Sequence, residues 1–307
     1  MSKQRVIIDT DPGLDDAVAI LFALSCGQFD VLGLTTVAGN IGIKATTHNS
    51  LRLLAAMGRE DIPVVQGADT PLRRESIDIV AIHGQDGVQG LVLPEPNVAA
   101  LPEPSVVPHH DAVGWLAQTL LGEPAGSLTI LALGPMTNLA KLIKVHPEAA
   151  SRIGRIIAMG GAVDEPGNVG ARSEFNFATD PEAAHIVFRA GIELIVIPLD
   201  VTRKVRVDIA QVELMRGTVA GDIAADVITL YFGEGKQSRP LHDPCVMLYA
   251  LQPDLFTVEE RLVAVDLEEG TDAGALKPAR ADAPVQHIAM RVDSAAAIAL
   301  LTEGLRA

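Results

Sequence analysis

The sequence has few cysteines, few aromatic residues and no long apolar run. Cys26 and Cys245 are its two cysteines, and neither belongs to a Cys-x-x-Cys motif. This usage argues against a disulfide scaffold or a zinc cluster and is typical of a reducing compartment. No apolar stretch reaches the length of a membrane span, and no signal peptide precedes the first predicted strand. We therefore expect a cytoplasmic protein that does not enter a membrane.

Basic residues are also scarce. The 307 residues include 24 Lys and Arg against 39 Asp and Glu, which gives a formal net charge of −15. Nucleic acids and anionic lipid surfaces favour basic patches, so neither is an expected partner. Hydrophobic residues make up 48% of the chain and charged residues 21%, a composition that permits a large core and excludes intrinsic disorder. A small neutral substrate or a cation fits this composition better.

The most informative pattern lies at residues 5–17, RVIIDTDPGLDDA. An apolar run is followed there by four carboxylates, Asp9, Asp11, Asp15 and Asp16. The run is typical of a buried strand, Pro12-Gly13 of a tight turn, and residues 17–26 of a core helix. The acids therefore lie between the carboxyl end of a strand and the N-terminus of a helix, which is where open α/β sheets bind ligands.

These four acids predict a bound cation. Neighbouring carboxylates repel each other and their pKa values rise, unless a cation compensates them. Ca²⁺ accepts about 6–8 oxygen ligands in forgiving geometry, whereas Mg²⁺ requires near-octahedral order, so this crowded and unequal set favours calcium. The alternative is that Asp15 and Asp16 only cap the helix. One acid would suffice for a cap, and Asp9 and Asp11 face the same side of the sheet, so we favour the cation site.

The remaining chain predicts an α/β fold. Strands are predicted at residues 6–8, 31–37, 63–65, 128–133, 153–159 and 193–197, and helices at 17–26, from the second strand to about 57, at 137–145 and at 181–190. This alternation indicates one domain over residues 1–307, with a Rossmann-like, mostly parallel central sheet covered by helices on both faces. Residues 256–307 are expected to add a strand, a hairpin-like stretch and an Ala-rich helix. Pro- and Gly-rich segments near 71–110 and 233–241 are typical of active-site lids.

Further polar residues lie at predicted strand-to-helix junctions, where packing of a hydrophobic core does not require them. Asn40 follows the second strand, Leu133 begins the LGPMTN turn, and Asp243 in HDPC is expected to be the N-cap of a helix that begins with Pro244. Glu174 and Asn176 in the EFN motif are expected to alternate on one face of an extended segment. Each has an ordinary explanation as a turn residue, a cap or a solvated strand. Their joint occurrence in this order indicates a site.

With these motifs the chain resembles the inosine-uridine preferring nucleoside hydrolase family, calcium enzymes that cut the N-glycosidic bond of ribonucleosides. The resemblance covers essentially the full length and is carried by DTDPGLDDA, TTVAGN, LGPMTN, MGG, GN, EFN with DPEAAHIVF, and HDPC. It implies Ca²⁺ ligands at Asp11, Asp16, Asp243 and the backbone carbonyl of Leu133, with Asp9 orienting them. It also implies a ribose site formed by Asp15, Asn40, Asn168, Glu174, Asn176 and Asp243, with Met159 beneath the sugar.

The resemblance implies a mechanism as well. Glycoside hydrolysis passes through an oxocarbenium-like transition state, so we expect attack by a Ca²⁺-activated water, Asp11 as general base and inversion at C1′. His83 and His242 could assist the leaving base. Tryptophans occupy these two places in the purine-specific branch, whereas the single Trp of this chain, Trp115, lies in a predicted core helix. The histidines favour the inosine-uridine or pyrimidine branch, and the order of inosine, uridine and cytidine stays open.

Two other protein classes share part of this sequence pattern. A haloacid dehalogenase-type phosphohydrolase also has two Asp one residue apart after its first strand, but it requires Thr or Val where this chain has Gly13 and does not explain EFN or HDPC. A non-catalytic ribonucleoside-binding protein is the second alternative; such proteins usually act outside the cytoplasm. The acidic, apolar-rich composition is compatible with a homodimer or homotetramer.

Overall fold

A computed structural model describes residues 3–77, 84, 86–97, 111–232, 236–281 and 283–307. The strands are β1 (Gln4–Thr10), β2 (Phe29–Thr36), β3 (Val64–Gln66), β4 (Thr129–Ala132), β5 (Arg155–Met159), β6 (Leu194–Ile197), β7 (Arg206–Asp208), β8 (Ser238–Pro240), β9 (Phe256–Arg261), β10 (Val263–Val265), β11 (Leu276–Pro278) and β12 (Gln286–Val292). The helices are α1 (Leu14–Ser25), α2 (Ile43–Ala56), α3 (Ala112–Gly122), α4 (Thr137–Val145), α5 (Pro147–Ala150), α6 (Phe175–Thr179), α7 (Pro181–Phe188), α8 (Leu199–Thr202), α9 (Ile209–Met215), α10 (Val219–Phe232), α11 (Pro244–Leu251) and α12 (Ser294–Leu305).

A sheet of eight strands forms the centre of the molecule. Its order is β3-β2-β1-β4-β5-β6-β12-β9, and every pairing is parallel except β12 with the edge strand β9. This confirms the predicted α/β class. The chain leaves β1 toward β2 and β3 on one side and returns to β4, β5 and β6 on the other. Such a reversal opens a crevice at the carboxyl ends of the central strands.

The central strands are buried on both faces because helices cover each of them. Along β1, Val6 and Ile8 pack into one apolar cluster with α1, α10, α11 and α12, whereas Ile7 packs into the other with α3, α4 and α7. All three side chains are fully buried, and burial of each contributes about 1.5–3 kcal/mol relative to exposure. The rigid double-sided core therefore fixes the strand ends that carry the polar residues.

The structure shifts the start of the first predicted helix and contains the other predicted elements described below. The first helix begins at Leu14 rather than at residue 17, so Asp15 and Asp16 lie in its first turn. Trp115 lies in α3 and packs, partly buried, against the apolar cluster, as predicted. The C-terminal prediction is confirmed by the antiparallel pair β10–β11 and by α12. Within the described residues, no helix has the length and apolarity that crossing a bilayer requires.

The two predicted lids lie partly outside the described residues. Residues 78–83, 85, 98–110 and 233–235 belong to those segments and are not described. The prediction for His83 therefore also lies outside the described residues.

Candidate active site

The predicted site residues Asp9, Asp11, Asn40 and Leu133 lie at or just beyond the carboxyl ends of adjacent parallel strands. Asp9 is in register with Thr35 of β2 and with Ala132 of β4. Asp11 therefore emerges beside the turns that follow β2 and β4, which carry Asn40 and Leu133 respectively. The strand order thus brings residues that are more than a hundred positions apart in sequence to one edge of the sheet.

Asp11 lies in a space that glycines leave open. Its Oδ2 accepts a hydrogen bond from the Asn40 amide at 2.7 Å, while its buried Oδ1 has no hydrogen-bond partner. A methyl group at Gly39 or at Gly134 would overlap the Asp11 carboxylate. The glycines of the TTVAGN and LGPMTN motifs are therefore needed for close approach of the backbone to this side chain.

Asp16 both caps α1 and belongs to the acidic cluster. Its Oδ2 accepts hydrogen bonds from the Gly13 amide at 3.1 Å and from Asn40 Nδ2 at 3.0 Å. Its Oδ1 accepts one from Thr10 Oγ1 at 2.6 Å. Asp16 therefore takes part in the cap of α1 and also lies beside Asn40, where the cation site is predicted.

Asp15 connects helix α1 with the segment that precedes helix α11. Its Oδ2 accepts hydrogen bonds from the backbone amides of His242 at 2.6 Å and Asp243 at 3.1 Å, and its buried Oδ1 has no partner. Asp243 occupies the N-cap position of α11, as predicted, but its side chain makes no capping hydrogen bond. Its carboxyl group interacts with Asp16 instead.

Burial and mutual repulsion make this cluster unfavourable when it is fully ionised. Burial, followed by the charge of Asp16, raises the pKa of Asp11 well above its usual range. Burial and the charges of Asp16, Asp15 and Asp11 do the same to the pKa of Asp243. Burial raises the pKa of Asp15 to about 7 and that of Asp9 to about 6. A cation would remove these penalties, because it stabilises the charged forms.

The donor set fits a hard cation. Carboxylate and carbonyl oxygens are what Ca²⁺ prefers, and Asp11 and Asp15 each present a buried oxygen without a hydrogen-bond partner. Within the described ranges, however, no three or more His, Cys, Asp or Glu side chains are spaced as a finished metal site. The predicted fourth ligand, the Leu133 carbonyl, accepts a hydrogen bond from Asn176 Nδ2 at 2.6 Å. A carbonyl oxygen has two lone pairs, so this hydrogen bond leaves one of them for an ion.

Asp9, which was predicted to orient the cation ligands, forms hydrogen bonds with neighbouring polar side chains. Asp9 Oδ1 accepts hydrogen bonds from Thr35 Oγ1 at 2.5 Å and Asn138 Nδ2 at 2.8 Å, and its buried Oδ2 has no partner. No hydrogen bond connects Asp9 to the side chain of a predicted ligand among the described residues. Its charge does raise the pKa of Asp11, so the two carboxylates interact through space.

The EFN segment is helical, which corrects the sequence prediction of an extended segment. Glu174 is the N-cap of α6, and its carboxylate accepts hydrogen bonds from the amides of Asn176 at 2.9 Å and Phe177 at 3.3 Å. The short helix forms because this carboxylate satisfies its free N–H groups. Glu174 and Asn176 nevertheless face the same cavity.

The predicted sugar-binding side chains surround that cavity. Glu174 Oε2 also accepts a hydrogen bond from the Gly161 amide at 2.9 Å, and burial raises the pKa of Glu174 to about 7. Asn168 Oδ1 accepts one from the Phe175 amide at 2.9 Å. Residues that line the cavity are Asp15, Asn40, Leu133, Met159, Asn168, Val169, Glu174, Phe175, Asn176, Tyr231, His242 and Asp243.

His242 is the predicted leaving-group residue that the structure describes. Its Nδ1 lies 2.7 Å from Thr202 Oγ1. Burial, together with the positive charges of Arg203, Arg239 and Arg206, lowers the pKa of His242 to about 3. These effects disfavour the charged imidazolium form of the ring.

Sequence reasoning missed the aromatic wall of the cavity. Phe175 and Tyr231 line it, and the guanidinium of Arg239 lies 3.8 Å from the centre of the Tyr231 ring. Tyr231 is one of two tyrosines in the chain and occupies the last turn of α10, beside a segment that was predicted to be a lid. The scarcity of tyrosine in the chain and the position of Tyr231 beside the predicted lid were the signals in the sequence that could have identified it.

Comparisons with known proteins agree with this arrangement. The model of the inosine-uridine preferring nucleoside hydrolase family matches residues 6–299. The pyrimidine-specific ribonucleoside hydrolase RihA of Salmonella typhi is 40% identical over 271 residues, which cover 86% of this chain and 84% of that protein. A solved plant nucleoside hydrolase is 34% identical with a TM-score of 0.88 and covers 99% of both chains. The purine-preferring ribonucleoside hydrolase from Gardnerella vaginalis is 28% identical with a TM-score of 0.88 and covers 98% of both.

Proposed function

The chain belongs to the inosine-uridine preferring nucleoside hydrolase family, and from that premise we propose that it hydrolyses pyrimidine ribonucleosides, uridine and cytidine ahead of inosine, to free base and ribose. The observation that carries the proposal is the convergence of four acids, Asp11, Asp15, Asp16 and Asp243, at a cavity lined by the side chains that are proposed to bind the sugar. The RihA relatives named as pyrimidine-specific, at 40% identity, support the base preference. The family assignment sets the phosphohydrolase and non-catalytic alternatives aside.

The resident cofactor in this proposal is Ca²⁺, held by Asp11, Asp16, Asp243 and the Leu133 carbonyl. When bound, it supplies positive charge that binds the vicinal hydroxyls of ribose and lowers the pKa of the attacking water. The unpartnered Asp11 Oδ1 and the mutual repulsion of the acids support this ligand set.

Asp11 is the proposed general base. Its Oδ2 is held by the Asn40 amide, and the carboxylate is proposed to take a proton from water as the water oxygen attacks C1′. The bond from C1′ to the base nitrogen breaks and its electron pair leaves with the base. Because no nucleophilic carboxylate is required, the expected product is ribose with inverted configuration at C1′.

The sugar is proposed to bind through Asp15, Asn40, Asn168, Glu174 and Asn176, over Met159. Backbone amides orient the oxygens of Glu174 and Asn168, and Asn176 is oriented by donating its side-chain amide to the Leu133 carbonyl. Fixed dipoles of this kind stabilise a developing positive charge on the ribose without reorganisation. The neutral ring of His242 is proposed to contact the base, together with His83.

A nucleoside panel tests the proposal. Purified protein, freed of metal and then supplied with Ca²⁺ or Mg²⁺, is assayed for reducing sugar released from uridine, cytidine, inosine and guanosine. We expect the highest kcat/KM with a pyrimidine and Ca²⁺, and a loss of at least about a hundredfold for Asp11→Asn. Asp208→Asn, which alters an exposed helix cap, is the matched control. No sugar from any nucleoside would overturn the function, and preferred cleavage of inosine would overturn the base preference.

Assembly and compartment are further parts of the proposal. The composition remains compatible with a homodimer or homotetramer in the cytoplasm. Light scattering after size-exclusion chromatography measures the assembly directly, and a monomeric mass would contradict it.

A further inference from the structure

His242 is held by one contact of its backbone and one contact of its ring. Its backbone N–H donates to Asp15 Oδ2 at 2.6 Å, and its ring Nδ1 lies 2.7 Å from Thr202 Oγ1. Thr202 is completely buried at the end of α8. Since His242 lines the cavity and Nδ1 is engaged by Thr202, Nε2 is the ring nitrogen that is left to meet a ligand.

The donor in the contact between Thr202 and His242 can be assigned by accounting for hydrogens. The Thr202 hydroxyl carries one hydrogen, and His242 Nδ1 is its one hydrogen-bond partner among the described residues. If Nδ1–H donated to Thr202, the hydroxyl hydrogen would be a buried donor without an acceptor, which is costly. If the hydroxyl donates, both groups are satisfied and the ring proton lies on Nε2.

We propose that Thr202 is a positioning residue whose hydroxyl donates to His242 Nδ1 and so keeps the ring proton on Nε2, from which His242 donates a hydrogen bond to the departing base. The inference rests on the proposed function and deepens it. As the glycosidic bond breaks, its electron pair moves onto the base, and the Nε2–H group stabilises that negative charge. The ring keeps its proton throughout, and the base takes its proton from solvent. A neutral imidazole can act in this way as a hydrogen-bond donor.

The neighbouring residues make Thr202 part of a larger support. Asp200 and Arg203, at the same short helix, hold the loop that leads to Asn168: Asp200 Oδ2 accepts from the Val163 amide at 2.8 Å, and Arg203 Nη2 donates to the Gly167 carbonyl at 2.9 Å. The α8 segment therefore connects the sugar side of the cavity with the base side. Removal of the Thr202 hydroxyl leaves these other contacts in place, which allows its role to be tested alone.

The test compares two leaving groups in the Ca²⁺-loaded enzyme. Uridine needs help to expel its base, whereas 4-nitrophenyl β-D-ribofuranoside releases a stable phenolate without it. For Thr202→Val we expect kcat with uridine to fall by about tenfold or more, with KM and the turnover of the nitrophenyl riboside within about twofold of wild type. Thr202→Ser, which restores the hydroxyl, should recover most of the activity on uridine.

A second threonine gives the matched control. Thr46 is also completely buried, and its Oγ1 donates to the Ile43 carbonyl at 3.0 Å, so Thr46→Val should leave both activities unchanged. Equal losses on both substrates, unchanged turnover of uridine, or failure of Thr202→Ser to recover activity would each overturn the role of Thr202. If wild type releases no ribose from uridine, the proposed function itself has failed, so the two failures are distinguishable.

Discussion

At the scale of single residues, the site depends on where side chains are absent as much as on where they are present. Gly39 and Gly134 lie in the turns that follow β2 and β4, and both leave room for the carboxylate of Asp11. The sequence motifs TTVAGN and LGPMTN predicted turns at these places. They could not reveal that both turns surround one aspartate, because that contact follows from strand order.

Gly134→Ala tests this close approach. The added methyl group would overlap Asp11, and the carboxylate must shift from its hydrogen bond with the Asn40 amide. We expect kcat/KM on uridine to fall by about a hundredfold, because misplacement by 1 Å can cost that much, together with weaker Ca²⁺ binding by isothermal titration calorimetry. Gly122→Ala, at a glycine with open space around it, is the control. Unchanged calcium affinity and activity in Gly134→Ala would contradict the requirement.

At the scale of secondary-structure elements, the segments with an apolar pattern were predictable, including short buried strands, whereas a short helix that depends on a cap was not. Strands β1, β2 and β4 and helix α4 lie within a few residues of their predicted bounds, because their apolar patterns are determined by burial on one or both faces. Helix α6 has five residues, too few for a period. It forms because Glu174 caps its amides, a contact that no pattern of apolar residues encodes. For the same reason, the predicted extended conformation of Glu174 and Asn176 was wrong, although both residues line the cavity.

The loop between β5 and α6 gives a prediction at this scale. Asp200 accepts hydrogen bonds from three successive amides, Val163 at 2.8 Å, Asp164 at 2.8 Å and Glu165 at 3.2 Å. Asp200→Asn removes the charge and places an N–H₂ group against one of these donors, so the loop that carries Asn168 loosens. We expect KM for uridine to rise by about tenfold with a smaller change in kcat, since ground-state binding is what the loop supplies.

A helix cap of similar chemistry provides the comparison for Asp200. Asp208 Oδ1 accepts from the Gln211 amide at 2.8 Å at the exposed start of α9. Asp208→Asn is expected to cost at most about 1 kcal/mol of stability and to leave KM unchanged. Steady-state kinetics and thermal unfolding of the two variants separate a local role in substrate binding from a general loss of stability. Equal KM values in the two variants would contradict the role of Asp200.

At the scale of the whole molecule, the acidic site opposes folding when no cation is bound. Burial raises the pKa values of Asp9 to about 6 and of Asp15 and Glu174 to about 7. In the unfolded chain such groups titrate near about 4. Between these values the folded protein binds more protons than the unfolded one, so its free energy of unfolding falls as pH rises from about 4 to 7. The metal-free protein should therefore be more stable at pH 5.5 than at pH 7.5.

Bound Ca²⁺ should oppose this trend, because it stabilises the ionised carboxylates and competes with protons for them. We expect the rise in Tm on adding saturating Ca²⁺ to protein dialysed free of metal to be larger at pH 7.5 than at pH 5.5. At a hundredfold excess over Kd the added stability is about 2.7 kcal/mol.

In Asp243→Asn one of the four charges is gone, so both the slope of stability with pH and the Ca²⁺ increment in Tm should shrink. A Ca²⁺ increment that does not depend on pH would mean that protons and the ion do not share these carboxylates, and the assignment of Asp11, Asp16 and Asp243 as ligands would then be wrong.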